Sequence, residues 1–275
     1  THKFIGGPAT PGLLIVKKHL LENGIPAIPG GGTVTYVTKT QQQYSKDVEG
    51  REEAGTPSII DSIRAGLVFK LKETVGVQTI QKIESDYVKR SMTAFAKNSN
   101  IKILGDQQSE RLGFCSFLIK HNDQYLHYNF VVALLNDLFG IQSRGGCSCA
   151  GPYGHDLLGL DEFESQLHTD EIENGITGSK PGWVRVSFNY FIPNDEFEYI
   201  VDAIHWIAHN GWKLLNHYDF DYRSGLWSCN VKSAEVGVSL DDFLNENPQL
   251  KKGSSTQRKL SWKTNFSIAN TLADE

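Results

Sequence analysis

The chain has 275 residues, with 27 basic and 32 acidic side chains giving a formal charge of −5, and is 39% hydrophobic and 11% aromatic. That length allows one or two domains of roughly 100–200 residues with an ample core; the acidic balance excludes the footprint of a nucleic-acid binder, and no apolar run approaches the ~18 residues of a membrane span. Four cysteines are too few for a disulfide scaffold and point to a reducing compartment, while a first residue of Thr1 and a lone Met92 read as a processed product or a piece of a longer chain.

Residues 4–16 form a Gly- and Pro-rich loop feeding a short apolar strand ending at Val16, followed by a short helix over Lys17–Asn23 closed by Gly24. Pro26–Gly32 is a second loop ending in three glycines, where backbone must pass close to something. From Ser58 the pattern is helical, with Ile59, Ile60, Ile63, Leu67, Val68 and Leu71 at helical spacing. A longer helix covers Val77–Phe95, with Ile80, Ile83, Tyr87 and Met92 on one face, and Asn98 and Asn100 stop it. Beyond it, Ile101–Leu104, Leu112–Ile119, Ile141–Ser143 and Trp183–Asn189 read as strands, Tyr128–Phe139 and Asp195–Trp206 as helices. The interleaving predicts an α/β architecture with a boundary near residue 96. Residues 161–181 read as a polar excursion, and 222–275, which include Lys-Lys-Gly-Ser-Ser-Thr-Gln-Arg-Lys, as a weakly packed or disordered polar extension.

Four segments have residue types suited to chemistry. His2-Lys3 precedes a Gly-Gly-Pro loop; a positioned lysine can form a Schiff base, although such a pair alone reads as solvated. Arg51-Glu52-Glu53-Ala54-Gly55-Thr56-Pro57 leads into a helix, where an amide and a hydroxyl suit either a phosphate or an ordinary N-cap. Ser143 to Pro152 sets Cys147 and Cys149 on a glycine loop beside Arg144, the setting that makes a thiol nucleophilic. Arg185, between Val184 and Val186, is either edge-exposed or grips a carboxylate bidentately. A zinc site would need a second close-spaced cysteine pair or histidines in register; His155 and His168 do not supply one, so no metal is expected.

In this order, the segments resemble the class V aminotransferase family and, within it, the cysteine desulfurases. Thr1-His2-Lys3 with Gly6-Gly7-Pro8 and Gly12 is similar to the family's pyridoxal 5′-phosphate lysine motif; Gly30–Gly32 and Arg51…Ala54-Gly55-Thr56-Pro57 match two more. The Arg-x-Gly-x-x-Cys-Ala motif falls on Arg144, Gly146, Cys149 and Ala150, and the Arg-x-Ser strand motif on Arg185 and Ser187.

The resemblance runs to about residue 213. It implies the C-terminal part of a fold type I transferase starting at its cofactor-lysine motif: 1–95 a remnant of the large mixed-sheet domain, 96–221 a smaller α/β domain, 222–275 an extension. By the same resemblance Lys3 carries pyridoxal 5′-phosphate, His2 contacts its phosphate, and Gly55 and Thr56 are offered to the phosphate of a partner subunit, implying a homodimer. Arg185, with Arg144, holds a small amino-acid substrate, and Cys149 is the persulfide-forming nucleophile that serves a sulfur-acceptor protein. The implied activity is cysteine desulfuration, in the cytoplasm or an organelle, with no nucleic-acid or membrane partner. A plain aminotransferase or other lyase using the same cofactor, and a catalytically incompetent module that dimerises or binds a partner, are the alternatives.

Overall fold

The computed structural model describes residues 1–230 and 255–275 and divides into two compact units, Thr1–Ile80 and Gln81–Glu275. The expected boundary near residue 96 therefore moves into a helix. Tyr87, Val88, Met92 and Phe95 of that helix are buried in the second unit's core, so its apolar face fastens it to that unit.

In the first unit, β1 (Val34–Val37) and β2 (Gln42–Tyr44) form an antiparallel hairpin, followed by the short α1 (Val48–Glu52) and α2 (Ile59–Val75). The strand expected before Val16 does not form. Leu13, Leu14 and Ile15 are exposed, and no strand among the described residues pairs with them; a lone extended segment has no partner for its backbone groups. The short helix expected at 17–23 is a single 3₁₀ turn, Lys18–Leu21. α2 forms where its periodicity predicts, yet Ile59, Ile60, Ile63, Leu67 and Leu71 on it are exposed, while Ala65 and Val68 are buried.

α3 (Val77–Phe95) crosses the boundary into the second unit. There β3 (Ile101–Ile103), β4 (Phe114–His121), β5 (Gln124–Tyr125), β6 (Arg144–Gly146) and β7 (Trp183–Ser187) make one sheet. Its order is β3-β4-β7-β6, with β5 on β4 and every pair antiparallel. α4 (Tyr128–Phe139) and α7 (Asn194–Asn210) pack on one face. α4 begins where the His127 ring accepts from the Asn129 amide and ends at Gly140, whose φ of 65° few other residues adopt.

The core follows from strand alternation. Cys115, Phe117 and Ile119 of β4 and Val184 and Val186 of β7 point to the α4–α7 side with Phe130, Leu134, Phe197 and Ile204. Leu118 and Trp183 point the other way, where with Leu104 they meet Leu157 and Leu158 of α5 (Gly151–Leu158).

Two further segments differ from the sequence expectation. The polar excursion at 161–181 contains α6 (Glu162–Glu173), started by a capping box in which Asp161 and Glu164 satisfy each other's backbone amides. The extension past residue 221 is not uniformly loose: β8 (Tyr218–Asp221) pairs with β9 (Leu226–Cys229), and α8 (Ser255–Asp274) packs on the core through Trp262, Phe266, Leu272 and the fully buried Ala269. Trp262, Phe266 and Ala269 share one helical face, which bulk composition does not reveal. The rest of that expectation, residues 231–254, lies outside the described residues.

Candidate active site

In the first unit His2 and Lys3 lie in the turn His2–Gly6, side chains exposed and without polar partners among the described residues. The turn is tight. A Cβ on Gly6 would meet the Thr10 hydroxyl at 2.7 Å, and Gly7 takes a φ of 73°. Lys72 sits 5.3 Å from the Phe4 ring and Arg64 donates to the Pro8 carbonyl, which holds the turn to α2.

The glycine run and the Arg51–Pro57 segment come together. Gly55 donates its amide to the Gly31 carbonyl at 2.8 Å, and a Cβ on Gly30 would stand 3.1 Å from that of Ala54. What the glycine backbone passes closely is therefore this segment. Arg51 is buried and donates to the carbonyls of Leu21, at 2.6 Å, and Ser45, at 3.3 Å, so it ties three loops together. The Gly55 amide is donated to Gly31, and the N-cap of α2 is Ser58, three residues further on. The Thr56 hydroxyl is exposed and makes no hydrogen bond.

In the second unit the strand pairings place two candidates, Arg185 and Arg144, side by side. β7 lies between β4 and β6, so Arg185 is on an interior strand and the edge-exposed reading fails. It is directly opposite Ser116 on β4 and Arg144 on β6. Its face is the one away from the main core, because Val184 and Val186 take the core side. Arg185 and Arg144 are cations on neighbouring strands with no carboxylate partner among the described residues. Like charges directly opposite one another are destabilising, and an anion between them reverses the sign.

Next to them is a cavity of about 460 Å³ lined by Arg185, Trp183, Ser116, Ser148 and Tyr153, among others. Arg185 Nε, Trp183 Nε1 and Ser148 Oγ are buried in it without a hydrogen-bond partner. Two of these atoms are donors and the third is a hydroxyl. Each orphaned group costs about 1–3 kcal/mol unless a ligand or water serves it.

Cys149 is exposed, with its Sγ 3.6 Å from Arg144 Nη2. The Ala150 amide closes the preceding turn onto the Cys147 carbonyl at 3.0 Å, and Ser148 and Cys149 hold φ of 54° and 61°. Strain of that kind, of order 1–3 kcal/mol per residue, persists where surroundings impose it and is concentrated at functional sites. The backbone is also close-packed just before this turn: a Cβ on Gly182 would lie 2.7 Å from Gly146 Cα. Ser148, Trp183, Ser116 and Tyr153 were not singled out in the sequence. For Trp183 there was a signal, its position two residues from Arg185 on the same strand face.

The profile of the family described as Aminotransferase class-V matches residues 1–200. The chain belongs to the class-V aminotransferase family. Among curated members of similar sequence, the cysteine desulfurase of Wigglesworthia glossinidia brevipalpis is 30% identical over 151 residues, 55% of this chain and 35% of its own length. A probable cysteine desulfurase of Halobacterium salinarum is 25% identical over 203 residues, 74% of this chain and 42% of its own. The chain thus spans about a third to two fifths of the curated relatives it matches.

Of solved structures, an apo cysteine desulfurase from Thermococcus onnurineus shares the fold at a TM-score of 0.57 and 24% identity, over 70% of this chain and 42% of that one. The cysteine desulfurase CsdA of Escherichia coli does so at 0.53 and 20%, over 68% and 40%. The mixed α/β architecture is that of part of these proteins. No helix among the described residues is long and apolar enough to cross a membrane.

Proposed function

We propose that this class-V aminotransferase chain carries the substrate-binding and sulfur-accepting part of a cysteine desulfurase dependent on pyridoxal 5′-phosphate. One observation carries the reading: two unpaired arginines share a strand face beside a cavity with three orphaned polar atoms, and one of them touches an exposed cysteine. A small amino acid has the matching parts, a carboxylate for Arg185 and a sulfur within reach of the Cys149 loop. The names of the curated relatives point the same way.

The residues present fit the cofactor in part. Among the described residues the Lys3 amine, the His2 ring and the Thr56 hydroxyl have no polar partner, so Lys3 could meet an aldehyde, His2 its phosphate, and Thr56 the phosphate of a partner subunit. Held on Lys3, pyridoxal 5′-phosphate would supply an electron sink for the substrate α-carbon. Lys3 moves the proton at that α-carbon. Arg185 fixes the carboxylate through its planar fork, setting the geometry before chemistry. Cys149, as thiolate, forms the S–S bond to the substrate sulfur, so that alanine leaves and one sulfur remains on the protein. A sulfur-acceptor protein would take it from there.

A homodimer belongs to the same proposal. The exposed stripe Ile60, Ile63 and Leu67 on α2 is apolar surface of the kind an interface covers.

The test is alanine formation from L-cysteine by the protein that carries this chain, with and without Cys149→Ala. Loss of alanine-linked sulfur transfer in the variant supports the reading; undiminished sulfide release overturns Cys149's role. A borohydride-trapped cofactor adduct on Lys3 checks the other half, and its absence supports a module that only dimerises or binds a partner. A second reading, an aminotransferase or lyase for a larger amino acid, is favoured by the apolar walls Leu104, Phe114, Leu157 and Trp183 of the cavity. Fast amino transfer to a keto acid selects it.

A further inference from the structure

The desulfurase reading uses one of two thiols on the same turn and leaves Cys147 without a task. Both Cys147 and Cys149 are exposed. The Ala150 amide donates to the Cys147 carbonyl at 3.0 Å, and φ is positive at both central residues, 54° at Ser148 and 61° at Cys149, the pattern of a type I′ turn. Residues two apart in a tight turn have Cα atoms well inside the ~7 Å of extended chain, and a disulfide needs roughly 4.4–6.8 Å. The reversal therefore brings the two Cα atoms into the separation that a disulfide spans. Neither thiol is shielded, unlike Cys115, which burial pushes up to about 12 and keeps inert.

We propose that Cys147 is a resolving thiol: when Cys149 carries a second sulfur, the Cys147 thiolate attacks Cys149 Sγ and closes a Cys147–Cys149 disulfide. The proposal rests on Cys149 being the sulfur acceptor. The new bond joins the two Sγ atoms, the bond from Cys149 Sγ to the outer sulfur breaks, and its electron pair leaves with that sulfur as hydrosulfide. The Cys147 proton goes to solvent. The Cys147 sulfur is oxidised from thiol to disulfide level, the outer sulfur is reduced to sulfide, and Cys149 Sγ keeps its oxidation level. Two equivalents of a low-molecular-weight monothiol then restore the dithiol. An exposed disulfide in so small a ring belongs to the readily reduced class, as turnover requires. The sulfur leaves by this route as free sulfide with a thiol reductant as co-reactant, an exit that runs beside hand-over to a sulfur-acceptor protein.

The test uses the reduced chain carrying Cys229→Ser, so that Cys147 and Cys149 are its accessible thiols. Dithiobis(nitrobenzoate) is added below one equivalent. The expected result is two thionitrobenzoate anions per reagent molecule and a 147–149 disulfide in the peptide map. With Cys147→Ser added, one anion is released and the adduct on Cys149 lives at least roughly tenfold longer, since the attack is no longer intramolecular. Inorganic polysulfide reads the persulfide itself: sulfide release with loss of two hydrogens in the dithiol chain, retention of the added sulfur in Cys147→Ser. Equal adduct lifetimes in the two proteins overturn the proposal. Neither readout needs cofactor or L-cysteine. Resolution by a chain whose enzyme makes no alanine overturns the desulfurase reading alone; alanine formation without resolution overturns the role of Cys147 alone.

Discussion

Arg144 and Arg185 are directly opposed across the β6–β7 ladder, two guanidiniums on one sheet face with no carboxylate between them. The pairing is unfavourable in itself, and its presence beside Trp183 Nε1 and Ser148 Oγ defines a site shaped for an anion.

Arg185 is expected to act on substrate affinity. A charge-assisted fork is worth about 1.5–3 kcal/mol, so Arg185→Ala lowers kcat/KM for L-cysteine by on the order of 10- to 100-fold, mostly through KM. Arg185→Lys keeps the charge and loses the fork, and recovers only part of the loss. Steady-state kinetics on the complete enzyme decide it; an unchanged KM removes Arg185 from the carboxylate.

Arg144 is expected to act on Cys149 through its charge. With Cys147→Ser and Cys229→Ser as background, Cys149 reacts with anionic iodoacetate and neutral iodoacetamide at measurable rates. A cation about 4 Å away is worth about 1 kcal/mol in water, so Arg144→Gln lowers the iodoacetate-to-iodoacetamide rate ratio about fivefold at low salt. The difference shrinks as salt screens it. A ratio indifferent to both changes separates Arg144 from the thiol.

α8 is expected to be a structural part of the second unit. The Phe266 ring lies 5.1 Å from Phe139 and 5.7 Å from Tyr199, centroid to centroid. Truncating this half-buried ring by Phe266→Ala costs about 2–3 kcal/mol in urea unfolding. Arg258→Ala, which removes only the exposed 3.8 Å pair with Glu196, changes stability by less than about 0.5 kcal/mol.

Stability is expected to fall on mild acidification. Burial holds His127 below its ordinary value of 6.5, against the opposing pull of its bond to Gly178, and burial likewise depresses His205. His127 Nδ1 accepts from the Asn129 amide at 3.2 Å and from Trp227 Nε1 at 3.1 Å, so Nε2 carries the proton toward the Gly178 carbonyl, 2.9 Å away. A depressed histidine takes up its proton more readily in the unfolded chain. Its contribution is complete above 6.5 and declines as pH falls from there through the folded value. Urea midpoints should drop over that range and drop less in His127→Gln; parallel profiles place the effect elsewhere.

The sequence by itself determined most of the local structure of the second unit. Tyr128–Phe139 is a helix at its predicted ends because apolar spacing and Gly140 mark it, and the alternation around Arg185 marks β7. The motif order, from Lys3 to Arg185, indicated the family that residues 1–200 match. Local patterns cannot show which long-range partner a group has. That the Gly55 amide meets the Gly31 carbonyl is not written in the local pattern, and α2's apolar face looked like core although most of it is exposed. Composition made residues 255–274 look loose because it averages over a helix whose few aromatic residues share one side. Only the tertiary structure placed Arg144 opposite Arg185 and left Trp183 Nε1 and Ser148 Oγ unserved beside them, because strand register and burial are set by pairing between segments far apart in the chain.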